Sequence, residues 1–114
     1  MNYISNLLIK SIELLASNSD TQRKYLRDLG TFPSTDELAL EFDDAYKPFI
    51  GQQGYDPTEI IAINLSKIDS LLDSYSKMED KTIWLETSLD SNLWTAVREL
   101  AASIHVDPNL QSQN

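Results

Sequence analysis

The chain has 114 residues, eighteen acids, nine bases, one histidine and no cysteine, for a net charge of −9. That length fits one domain and buries roughly two-thirds of its unfolded surface without staples. The absence of cysteine excludes disulfides and thiolate metal sites, and the charge disfavours direct contact with nucleic acid or an anionic membrane while favouring a basic partner.

The first ten residues lack a basic leader, and Lys10 and Glu13 interrupt the apolar run, so no signal peptide is expected. No run approaches the roughly 20 apolar residues of a membrane span. A cytoplasmic location is the expectation.

Residues 2–17 predict a helix with Ile4, Leu8, Ile12 and Leu15 on one face, widened by Leu7, Leu14 and Tyr3. Such a broad apolar face suits the centre of a core, or alternatively a homodimer contact. Thr21 to Leu29 predicts a second helix, its core side being Tyr25, Leu26 and Leu29. Gly30 then fits the left-handed position after a helix. Arg23, Lys24 and Arg27 read as a solvated basic face near the negative end of that helix. Phe32 is placed to clamp the turn into the next helix, and Pro33 blocks continuation of the second.

The third helix is the most readable and the most acidic. Ser34 and Glu37 have the spacing of a capping box. Leu38, Phe42, Ala45, Tyr46 and Phe49 share one stripe, while Asp36, Glu37, Asp43 and Asp44 point away and Glu41 lies at the edge. Leu40 also points away, a large apolar side chain within an acidic face. Pro48 is expected to close or kink the helix. The loop from Gly51 to Tyr55 has no phosphate-cradling spacing.

Asp56-Pro57-Thr58-Glu59 has the pattern of a helix start, with Asp56 as N-cap and Pro57 at the first position. The fourth helix then runs to about Met78. Ile60, Ile61, Leu65, Ile68, Leu71, Leu72, Tyr75 and Met78 form its apolar arc, with Asn64 inside it as a core amide. Residues 82–86 permit a short strand but have no evident pairing segment, so a turn or short helix with Trp84 plugging the bundle end is expected. The last helix runs from about Ser91 to Ile104, with Leu93, Trp94, Val97, Leu100, Ala101 and Ile104 inward. Arg98 follows Trp94 by four residues and is placed to lie on its ring. His105 reads as a terminal cap or surface residue, Asp107-Pro108 ends the helix, and 109–114 reads as a mobile polar tail. The expected architecture is all-α: one domain over 1–108, a bundle of about five helices with short loops.

No catalytic set emerges. There is no Gly-x-Ser-x-Gly turn, and the single imidazole lies at a helix terminus. Glu37, Glu41 and Asp44 are spaced i, i+4, i+7, which can place carboxylates around Mg²⁺. Glu41 and Asp44 form a Glu-x-x-Asp step that resembles half of the pattern of MazG-type nucleotide pyrophosphohydrolases. The Glu-x-x-Glu step that family places upstream is missing, so half of the metal site is absent. A Mg²⁺-dependent phosphohydrolase of reduced type is therefore the alternative reading, and a structural homo-oligomer is another.

The leading expectation is a non-enzymatic module without metal or cofactor. It uses Glu37, Leu40, Glu41, Asp43 and Asp44 to bind a basic protein, because an apolar anchor with a charged surround is a common interface design. The segments from Asp36 to Asp44 and from Leu93 to Ala101 resemble small acidic all-helical bacterial proteins of uncharacterised, partly immunity-type families. The resemblance implies a partner-binding role and no activity.

Overall fold

A computed structural model describes residues 2–30 and 33–104. The expectations for Phe32, His105, Asp107, Pro108 and the tail lie outside the described residues. The helices are α1 (Asn6–Ala16), α2 (Ser19–Asp28), α3 (Asp36–Ile50), α4 (Ile60–Ser76) and α5 (Asn92–Ala102). Two 3-10 turns, Lys81–Trp84 and Glu86–Asp90, join α4 to α5. The all-α expectation holds.

α1, α3, α4 and α5 pack as a ring of neighbours, and α2 lies against the second 3-10 turn and α1. Each ring helix turns one stripe inward, so the core lies along the ring axis. Ile4, Leu8, Ile12 and Leu15 are buried, as are all five expected residues of the α3 stripe. Two expectations for α1 change: Leu7 is 69% exposed and Tyr3 is 52% exposed. α1 packs on α2, α3 and α5, but its buried face is narrower than expected. Leu29, Ile60 and Leu93 also lie outward.

Several helix boundaries shift because tertiary bonds capture the groups that local rules assign to caps. The Ser34 hydroxyl donates to the Trp84 carbonyl at 3.2 Å and accepts from the Asp36 amide at 3.3 Å. The Glu37 amide bonds the Ser34 carbonyl at 3.1 Å, so the expected capping box does not form. The buried Thr35 hydroxyl donates to the Ile83 carbonyl at 2.8 Å, and one antiparallel bridge pairs Ser34 with Leu85. Residues 81–90 thus have a partner, although no strand forms there.

Asp56 behaves similarly. Its carboxylate accepts from the Thr58 amide and hydroxyl, while its backbone bonds the buried Asn2 side chain twice at 2.7 Å. This turn delays α4 until Ile60. Gln52 also reaches back, accepting from the Tyr3 amide and donating to the Tyr3 carbonyl. Two side-chain amides therefore fasten residues 2 and 3 to the α3–α4 loop. Pro48 does not end α3, which continues to Ile50. Proline in the last turn removes only one amide bond, and the buried Phe49 holds that turn against the core.

The opposite end is organised by Gln22 and Arg98. Gln22 is buried and donates to the Leu14 and Leu15 carbonyls, both at 3.0 Å. These belong to the end of α1, where carbonyls lack intrahelical donors. Arg98 reaches the Ser17 carbonyl at 2.9 Å, and Gln22 Oε1 and the Leu89 carbonyl at 3.0 Å. Its guanidinium serves this cluster and not the Trp94 ring, a correction to the helix-spacing expectation. Three carbonyl-type acceptors and the negative end of α1 hold the cation more strongly than a ring face. Trp94 is buried, packs edge-on to Trp84 and Tyr75, and donates to the Ile83 carbonyl at 3.1 Å.

Arg98→Met should lower unfolding free energy by about 2–4 kcal/mol, because it leaves inward carbonyl-type acceptors unpaired. Urea denaturation measures this as a lower midpoint at unchanged slope. Arg98→Lys should recover only part of the loss, since lysine lacks the planar fork.

Candidate acidic interface on α3 and α4

The outer surface of α3 divides into two flanks. Asp36, Leu40 and Asp43 lie on the α4 side, where they line a groove of about 240 Å³ with Asp69, Asp73 and Trp84. Glu41 and Asp44 lie on the α1 side and line a second groove. The five residues expected at one site are thus not all brought together. Leu40 and Asp43 share the first groove, while Glu41 and Asp44 share the second. Glu37 is half-buried on the side of Tyr25, whose phenol its charge helps to hold protonated.

Leu40 is 47% exposed, with carboxylates from two helices in the same groove. Asp43 pairs with Lys47 at 2.7 Å, and Asp73 with Lys77 at 2.9 Å, both at i, i+4 spacing. Exposed pairs of this kind contribute little stability and leave the carboxylates open to competition from another cation. Asp69 is different. Burial raises its pKa above the ordinary carboxylate range, the charges of Asp43 and Asp73 raise it further, and Lys47 opposes them. Asp69 therefore faces acids from both helices.

On the other flank, the Tyr25 hydroxyl donates to Glu41. That bond is the largest cause of a phenol pKa pushed up to about 12, with burial next. Glu41 is consequently engaged within the fold, and Asp44 is exposed. Glu37, Glu41 and Asp44 do not assemble a metal-holding group: among the described residues, no three carboxylate or imidazole side chains do.

The basic cluster of α2 is also occupied. Arg23 bonds Asp20 at 2.9 Å and Asp90 at 2.6 Å, Arg27 meets Glu86 at 2.5 Å, and Lys24 meets Asp28 at 2.7 Å. These three bases are engaged by four carboxylates of α2 and the second 3-10 turn. None of these ion pairs reaches the acids of α3.

The contribution of α4 was the part that sequence reasoning missed. Asp69, Asp73 and Ser76 are spaced i, i+4, i+7 and form one stripe beside the apolar arc. That stripe was visible in the sequence. Its position opposite Asp36 and Asp43 depends on the α3–α4 packing, which no local rule supplies. Chemically, the groove offers an apolar patch beside four carboxylates, suited to a lysine or arginine whose hydrocarbon stem also needs cover.

Asp69→Asn should raise stability at neutral pH. The native pKa lies above the unfolded one, so ionisation costs the native state as pH rises through this interval. The advantage of the asparagine variant should shrink as pH falls through the native pKa of Asp69 and vanish below the unfolded carboxylate value. Thermal midpoints of both proteins measured across acidic and neutral pH check the sign.

No protein-family model matches the chain, and neither a curated protein nor a solved structure is matched.

Proposed function

We propose that the protein is a non-enzymatic binding module that recognises a basic protein through the outer surface of α3 and α4. The observation that carries the reading is Leu40, half-exposed in a groove with Asp36, Asp43, Asp69 and Asp73. An isolated exposed leucine is ordinary. One surrounded by carboxylates from two helices supplies both an anchor and charge complementarity.

The raised pKa of Asp69 supports the same reading. Negative charge is crowded there, and a partner's lysine or arginine would relieve it. Trp84 also lines the groove, adding apolar surface beside the carboxylates. An immunity-like role, in which a basic effector is neutralised, fits this chemistry, as does a regulatory role toward a basic protein. The phosphohydrolase alternative gains no such support: Glu41 and Asp44 share a groove, but Glu41 is engaged by Tyr25, and among the described residues no three carboxylate or imidazole side chains gather around one point.

Leu40→Lys with Asp43→Lys tests the surface without disturbing the core. The double variant should fold normally and lose about tenfold or more in affinity for the partner captured by the parent protein. Circular dichroism and quantitative capture from the protein's own cell extract measure the two properties. Normal folding with undiminished capture would refute the assignment.

A further inference from the structure

The larger groove lies on the opposite flank of α3, between α3 and α1, and holds about 620 Å³. Its α1 wall runs from Leu7 through Ser11 and Leu14 to Ser17, one helical stripe about 15 Å long. Leu7 and Leu14 stand along the wall, while the small side chains of Ser11 and Ala45 leave space between the helices. Tyr25 of α2, held by Glu41, also lines the groove.

Two features leave this trough open among the described residues. Leu7 is 69% exposed although it sits on a mainly apolar wall. The charges of the groove are also unbalanced, with Glu13, Glu41 and Asp44 against Lys10. Glu13 lies on the α1 bank and Asp44 on the α3 bank.

These features specify the occupant's chemistry. An apolar floor whose lining carries three carboxylates against one lysine is complementary to an apolar ridge flanked by cations. The walls are helices whose backbone groups are already bonded, so they offer no edge to an extended peptide. A helix satisfies its own backbone and can set a ridge of side chains into the valley between two others.

We propose that the α1–α3 groove docks a basic amphipathic helix of about three turns, matched to the length of the α1 wall. The inference shares with the preceding reading the premise of a basic partner but uses a different surface, so either can fail alone.

The test titrates the full chain with a synthetic helical peptide of leucine and lysine, its leucines at i, i+3, i+4 and i+7. A scrambled peptide of the same composition and a leucine–glutamate counterpart serve as controls. Calorimetry and amide chemical shifts should show saturable one-to-one binding of the patterned peptide, centred on α1 and the adjoining flank of α3. The scrambled peptide should bind at least about tenfold more weakly, and the acidic one not at all. Leu7→Ser with Glu13→Lys changes two exposed positions and should cost a similar factor, whereas Leu40→Lys should leave peptide affinity unchanged.

Equal binding of the scrambled peptide would reduce the groove to bulk charge attraction and overturn the proposal. So would full retention by the Leu7/Glu13 variant, or no binding of the patterned peptide at millimolar concentration. Loss on Leu40→Lys alone would place the peptide on the α3–α4 surface and overturn this inference while sparing the first reading. A stable dimer in sedimentation that dissociates on Leu7→Ser would identify a second copy as the occupant and overturn it too.

Discussion

The bonds made by Gln22 and Arg98 hold one end of the bundle together. The helices span ten to seventeen residues, a length at which isolated helices are marginal in water. Their stability must come from mutual burial, and burial requires that exposed carbonyls at helix ends find donors. Gln22 supplies them to the end of α1. Arg98 then joins that amide to the α1–α2 turn and the last 3-10 turn. One cation thereby fixes α5 relative to α1 and α2, and Trp94, one turn before Arg98, is carried into the core. At the other end Asn2 and Gln52 perform the neutral counterpart of this task.

This arrangement also determines where charge remains. Arg98 is bound among carbonyls, while Arg23, Lys24 and Arg27 are paired with carboxylates of α2 and the second 3-10 turn. Lys47 and Lys77 are each held by one aspartate at i, i+4, and α4 carries one further base, the exposed Lys67. Acid is therefore in excess on the α3–α4 surface, and Leu40 lies within it. Glu41 and Asp44 lie on the opposite flank of α3, so the fold divides the acids of that helix between two surfaces, and the one with Asp69 and Asp73 also carries the apolar anchor.

Helix identity was legible because the stripes are clear at a period of 3.6 residues. Leu38, Phe42, Ala45, Tyr46 and Phe49 read as one face and are buried as one face. Gly30 read as a left-handed residue and has a φ of 76°. The failures share a cause: a polar group with a good local partner met a better one from elsewhere in the chain. Ser34 took Trp84 in place of a capping box, and Asp56 was drawn into a turn with Asn2. Arg98 took Gln22 and two carbonyls in place of an aromatic ring. Gln22, polar and mid-helix, gave no sign of burial until the end of α1 was placed beside it. Half of the candidate site was readable on α3 as Leu40 and Asp43. The other half, Asp69 and Asp73, required knowing which helices are neighbours.

The central claim is that an acidic surface with an apolar anchor recognises a basic protein. Its most direct test is capture from the protein's own cell extract at low and at moderate ionic strength, with the basicity of each retained protein determined. Added salt shortens the screening length to about 8 Å at physiological strength and weakens contacts between exposed charges. The account predicts a basic protein held at low salt and progressively released as salt rises. A neutral or acidic partner, or retention indifferent to salt, would contradict it.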